Sequence, residues 1–127
     1  PPYDIFVRWK ALSKQAIDEF LTRLPAMSGL QPDQILFLFD GFRYPPQGEE
    51  AAQRIRASYF GQMRGHFIQQ ARQQGFEAID MDEIFVPRFG QTGERYEFPI
   101  DGHWNALAHG LATEAALNSR TIQNVSE

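Results

Sequence analysis

The sequence predicts an α/β domain in three layers, a parallel sheet with helices on both faces. Two observations carry that prediction. Ile35, Leu36, Phe37, Leu38 and Phe39 form an unbroken apolar run, and a run without polar alternation suits a strand buried on both faces. A second strand-like stretch, residues 76–80, follows after one long helical pattern with short links. Strand, helix, strand in that order is a βαβ unit, with a right-handed crossover expected. The chain has 127 residues, enough for one domain with a real core.

The elements follow in order. Residues 3–7 suggest a short strand. Ser13 stands ahead of a helical pattern, with Leu12 before it and Ile17 at the fourth helical position. That is a Ser N-cap with a hydrophobic staple. Ile17, Phe20, Leu21 and Leu24 continue the 3.6-residue period, so residues 14–24 read as an amphipathic helix. Pro25 stops it, and 27–29 form a loop. Residues 42–48, with two prolines and a glycine, read as a loop at the carboxyl end of the first strand. In open α/β sheets that is the end where ligands bind.

Residues 49–74 are the longest periodic segment and read as one helix. Ala52, Ile55, Tyr59, Met63, Phe67 and Ala71 recur every three or four positions. Glu49, Glu50 and Arg72 complement its dipole, and Gly75 is a natural stop. Gly61 and Gly65 inside it imply close packing against a neighbour or a local weak point. Residues 81–89 admit a helical turn broken by Pro87. Residues 90–95 read as a polar loop and 96–100 as extended. A last helix covers 106–118, capped by Asn105, with Leu107, Leu111 and Ala115 on one face. The polar tail, 119–127, is expected to fray.

Composition removes several function classes. The formal net charge is −4 and no basic run exists, which argues against a protein that tracks nucleic-acid phosphates. Without cysteine there is no disulfide framework, thiolate metal site or Cys nucleophile. No apolar run approaches the ~20 residues needed to span a bilayer. No signal peptide is visible. The sequence opens on Pro1 and Pro2 without a Met, as expected of a piece of a longer protein.

Residues with obvious chemistry converge only at Asp101-Gly102-His103-Trp104-Asn105. In an extended backbone, positions i and i+2 point to one face, so Asp101 and His103 are neighbours. The carboxylate would fix one imidazole nitrogen and leave the other free as a general base. It would also favour the imidazolium that forms when the base takes a proton. The plainer alternative is an exposed loop His beside an Asp that caps a turn. Asp40 and Arg43, at the end of the first strand, are candidate substrate-binding residues, as is Trp104. The alternative for the first two is ordinary turn and surface residues. Asp80 and Asp82 flank the second strand end similarly. His66 is expected to be solvated on the long helix, and His109 to pack or meet backbone in the last one. His103, His109 and nearby acids match no strong zinc spacing, so neither metal nor cofactor is expected.

The tract Phe98-Pro99-Ile100-Asp101-Gly102-His103-Trp104-Asn105, followed by His109 and Gly110, resembles the last conserved block of SGNH (GDSL-type) hydrolases. That family holds esterases, lipases, carbohydrate O-deacetylases and relatives that move O-acetyl groups. By this resemblance Asp101 is the orienting acid and His103 the general base of a Ser-His-Asp site. The substrate implied is an ester or an acetylated carbohydrate, and the location periplasmic or secreted. Two departures stand out. Only Gly102 separates the acid from the base, where the commonest family spacing has two residues. The Asp-x-His-Trp form is more similar to the branch that includes polysaccharide O-acetylation proteins. The family's Gly-Asp-Ser and Gly-x-Asn-Asp blocks are absent. Ser13 reads as a helix cap, Ser28 as a loop residue, Ser58 as mid-helix, and Ser119 and Ser126 as tail residues.

The expectation is therefore the C-terminal part of a larger SGNH-like domain, supplying the Asp/His base of a site whose Ser lies elsewhere. Alone it should be catalytically weak or dead. A sheet without its other strands leaves an open edge, which invites self-association. One rival is a non-catalytic carbohydrate-binding or interaction module on the same scaffold. A second is a metal-dependent hydrolase.

Overall fold

The two apolar stretches pair as parallel strands. The computed structural model describes residues 2–43 and 46–125. In it β1 (Leu36–Phe39) lies beside β2 (Glu77–Asp80), with Leu36 level with Glu77 and Phe39 with Asp80. Pro1, the loop residues Tyr44 and Pro45, and the tail residues Ser126 and Glu127 lie outside the described residues. Among the described residues the chain is mixed α/β and mostly helical.

Alternation along the strands feeds two cores. Phe37, Phe39 and Ala78 join Leu21, Ile68, Ala71 and Phe76. Their rings meet edge to face: Phe37 to Phe67 at 5.2 Å, Phe39 to Phe67 at 5.0 Å and Phe37 to Phe76 at 5.4 Å. Ile79, on the other side of β2, joins Met81, Phe85, Tyr96, Ala108 and Ala112. Leu38 stays 37% exposed. The apolar run of β1 is thus not buried on both faces, as its composition predicts. Only the Phe37–Phe39 side is well covered.

The N-terminal prediction changes most. α1 (Pro2–Ser28) is one 27-residue helix. It absorbs residues 3–7, which suggested a strand. Ile5, Trp9, Leu12 and Ala16 extend the helical period backwards, and that longer pattern prevails. Ser13 lies inside the helix and hydrogen-bonds the Tyr59 hydroxyl instead of capping. Pro25 sits in the last turn, where it removes only one backbone bond, and the helix runs on to Ser28. Ser28 is accordingly helical rather than a loop residue, its hydroxyl donating to the Leu24 carbonyl at 2.8 Å.

The long periodic segment is two helices, α2 (Glu49–Ala57) and α3 (Tyr59–Gln73). They break at Ser58, which is extended and caps α3 by accepting the Gly61 N–H at 3.1 Å. A Cβ on Gly61 would lie 2.0 Å from the Ile55 carbonyl oxygen. The corner therefore requires glycine, the close packing that the sequence implied. The apolar period continues through the corner, so periodicity alone does not reveal it. Gly75 ends α3 as expected, with φ at 90° and the Phe76 N–H reaching the Ala71 carbonyl at 3.0 Å. α1 packs on α3.

α4 (Asp82–Thr92) is a full helix with Pro87 inside it, longer than the single turn predicted, and it takes in the start of the predicted loop. Burial outweighs the bond that Pro87 removes. Phe85 is fully buried and stacks on Tyr96 at 4.0 Å, and the Tyr96 hydroxyl donates to the Phe85 carbonyl at 2.9 Å. β3 (Glu97–Phe98) and β4 (Asp101–Trp104) form an antiparallel hairpin. Asn105 caps α5 (Ala106–Leu117) by accepting the Ala108 N–H at 3.0 Å.

The described part of the tail is largely helical. α6 (Arg120–Val125) docks on β2 through Glu77. Its carboxylate accepts the Arg120 N–H at 3.1 Å, the Thr121 N–H at 2.7 Å and the Thr121 hydroxyl at 2.6 Å. Ser119 is buried and accepts the Ile122 N–H at 3.2 Å. The polar composition of the tail is that of a capped helix end.

Candidate functional site

The hairpin places the dyad. β4 is extended, so Asp101 and His103 share a face as their spacing predicts. One oxygen of Asp101, Oδ1, accepts the His103 backbone N–H at 2.6 Å and meets His103 Nδ1 at 2.8 Å. That backbone bond, and then the imidazole, hold the Asp101 carboxyl below the usual aspartate value of 3.8. Among the described residues none hydrogen-bonds to Nε2 of His103. Its side chain is 88% exposed.

A second set of bonds ties this hairpin to the parallel pair. The Tyr96 N–H reaches the Arg43 carbonyl at 2.9 Å, while the Asn105 side chain closes the base of the hairpin itself, donating to the Arg95 and Glu97 carbonyls at 2.9 and 3.2 Å. Trp104 Nε1 donates to Asp40 Oδ1 at 2.8 Å. Arg43 pairs with the same carboxylate and donates through Nε to the Gly102 carbonyl at 2.8 Å. Its guanidinium also lies 5.8 Å from the centre of the Trp104 ring. The structure thus brings together all five sequence-predicted site residues, Asp40, Arg43, Asp101, His103 and Trp104. The three candidate binding residues direct polar groups at one another and at Gly102, the residue between acid and base.

Arg64 of α3 is the important residue that the sequence reading missed. It donates to the Asp40 carbonyl at 2.8 Å, pairs with Asp80 and approaches Asp82 at 3.3 Å. One guanidinium therefore joins the carboxyl ends of β1 and β2. Burial disfavours its charge, but the hydrogen bond and charge of Asp80, then Asp82 and Asp40, carry its pKa above the ordinary arginine value. Burial raises the Asp82 carboxyl, although it accepts the Phe42 N–H at 2.7 Å. The available signal was the Asp80-x-Asp82 pair after a strand, which needs a cation from somewhere.

Other candidates settle differently. His66 is not solvated: its side chain is 16% exposed and Nε2 meets Asp18 at 2.7 Å. His109 packs its ring against Trp104 at 5.6 Å, edge to face. No described serine hydrogen-bonds to His103. Ser58 is a cap rather than the mid-helix residue expected, and Ser126 lies outside the described residues. A depression of about 750 Å³ lies along α3, beside Arg56, Arg64, Arg72 and Asp80, and touches neither Asp101 nor His103. Among the described residues no three His, Cys, Asp or Glu side chains gather as a metal site would need. Among the described residues no helix is long and apolar enough to cross a membrane.

No protein-family model matches the chain, and no curated protein or solved structure is significantly similar to it.

Proposed function

We propose that this chain supplies the acid–base half of a serine-dependent ester hydrolase or O-acyltransferase of the SGNH kind. The observation that carries the reading is the 2.8 Å contact between Asp101 Oδ1 and His103 Nδ1, with no partner at Nε2 among the described residues. With Nδ1 protonated and donating to the carboxylate, the Nε2 lone pair takes the proton of an attacking hydroxyl. The carboxylate then stabilises the imidazolium. The hydroxyl and the oxyanion donors come from outside this chain.

The fold reading that goes with it is the C-terminal part of a three-layer α/β/α domain. Support comes from β2, whose alternate residues enter cores formed with α1 and α3 on one hand and α4 and α5 on the other. The bond from Trp104 to Asp40 also sets the dyad near the carboxyl end of β1. Asp40, Arg43 and Trp104 bound the substrate side of the dyad and hold it in place. The substrate class is an ester or an acetylated carbohydrate. The rival, a non-catalytic module on the same scaffold, draws on the 88% exposure of the His103 side chain.

Hydrolysis of an aryl acetate by the chain separates the two. On the enzyme reading, His103→Ala and Asp101→Asn each remove most of a slow activity, while His66→Gln and His109→Gln leave it. Equal contributions from all three histidines, at the level of free imidazole, would sink the enzyme reading.

A further inference from the structure

α1 has two apolar faces. One carries Ile17, Leu21 and Leu24 into the core. The other is largely uncovered: Ile5, Trp9, Leu12, Ala16 and Phe20 are all exposed, Trp9 to 61%, and only the Phe20 ring also leans on the core, against Phe37 and Phe67. They recur at steps of three and four, so they form one continuous stripe. The four large residues alone leave on the order of 450 Å² of apolar surface in water, a patch of the size that marks an interaction site.

The charges beside the stripe indicate what covers it. Arg8 and Glu19, of opposite sign, lie along one flank, both exposed, and Glu19 also pairs with Arg23 within the helix. An antiparallel second copy, with its two-fold axis level with residues 13 and 14, sets Arg8 against Glu19 of that copy. The symmetry repeats the pair. The same register seats Trp9 between Ala16 and Phe20 of the second copy, a large side chain beside a small one, and brings the two Leu12 side chains near the axis. In a parallel pairing the two copies of this flank lie on opposite sides of the seam, so Arg8 and Glu19 do not meet.

We propose that α1 is a self-association face through which two copies pair antiparallel along the Ile5–Phe20 stripe. The association uses a helix, not the open sheet edge, and it stands apart from the catalytic reading.

Sedimentation equilibrium of the chain, from about 1 to 500 µM, tests it. The expected result is a monomer–dimer equilibrium with Kd on the order of 10 µM. Leu12→Glu should leave a monomer, while Phe60→Glu, at an 80% exposed site off the stripe, should still dimerise. Arg8→Glu and Glu19→Arg should each weaken the dimer about tenfold, and the double reversal should restore it. Circular dichroism confirms that each variant is folded, and the surface charge variants serve if Leu12→Glu is not. A monomer at every concentration overturns the proposal. So does a dimer indifferent to both Leu12→Glu and Arg8→Glu, or a double reversal that fails to restore pairing.

Discussion

The indole N–H of Trp104 donates to Asp40 Oδ1 at 2.8 Å, across 64 positions of sequence. The same carboxylate pairs with Arg43, and Arg43 reaches the Gly102 carbonyl at 2.8 Å. The placement of the hairpin therefore depends on residues that follow β1. Trp104→Phe keeps the ring against Phe85 and removes the N–H. It should cost about 1 kcal/mol, the worth of one partly exposed hydrogen bond, read as a shift in urea midpoint at constant slope. Arg43→Lys keeps the charge but loses the fork. Its expected signature is local: faster amide exchange at Gly102 and His103, with exchange in α3 unchanged. Unchanged exchange in the hairpin would show that Arg43 does not hold it.

Asp101 gives a pH test. The His103 backbone N–H and then its imidazole favour the ionised carboxylate, so its folded value lies below the ordinary 3.8. A lowered folded value means that the stabilising contribution is present at neutral pH and is lost as pH falls through that value. Carboxyl carbon shifts from a pH series should place the Asp101 midpoint below the ordinary 3.8. In Arg43→Lys, where the hairpin loosens, the midpoint should move back towards the ordinary range. A midpoint at or above 3.8 would show that the two bonds are absent in solution.

Much of this site was legible before any coordinates. Spacing put Asp101 and His103 on one face, and strand β4 delivers them so. Asn105 was readable as a cap because capping is local chemistry. What was hidden depends on long-range contact. Arg64 is one arginine among many on helices, and only the meeting of two strand ends gives it a role. Asp40 and Arg43 were identifiable as polar residues at a strand end, but not as partners of Trp104. In the fold, β1, β2 and the start of α5 followed their patterns closely. The breaks did not: Pro25 and Pro87 sit inside helices, while the real interruption is at Ser58, where no proline marks it. Burial of Phe85 and Leu21 outweighs a lost backbone bond, and that balance is invisible to a local rule.

Glu77 predicts acid release of the C-terminal helix. Burial opposes its ionisation, yet the Thr121 hydroxyl and N–H and the Arg120 N–H hold its carboxyl below the usual 4.5. With the folded value lowered, the contribution to docking is complete above about 4.5 and lost as pH falls through the folded value. Amides of Arg120 and Thr121 should lose exchange protection in that acid window, before the core amides of β2. Glu77→Gln keeps an acceptor but not the charge, so it should weaken docking at pH 7 and remove most of the acid sensitivity. Protection at Thr121 that persists to pH 2 in the native chain would contradict this account.

The corner between α2 and α3 makes the strongest stability prediction. Ser58 satisfies the Gly61 N–H at 3.1 Å, and loss of such a cap typically costs about 1 kcal/mol. Ser58→Ala should therefore lower stability modestly and leave the fold intact. Gly61→Ala is different in kind. The added methyl meets the Ile55 carbonyl at 2.0 Å and the Arg56 backbone at 2.8 Å, and backbone cannot swing aside as a flexible side chain can. Either α2 moves away or the corner opens towards the continuous helix that the periodicity favours. Both routes cost more than the cap, on the order of 2–3 kcal/mol by analogy with overpacking. The two are distinguishable. A straightened helix raises the helical signal in circular dichroism even as the urea midpoint falls, whereas displacement of α2 lowers both. Equal midpoints for Gly61→Ala and the native chain would mean that the close approach of α2 to α3 does not exist in solution.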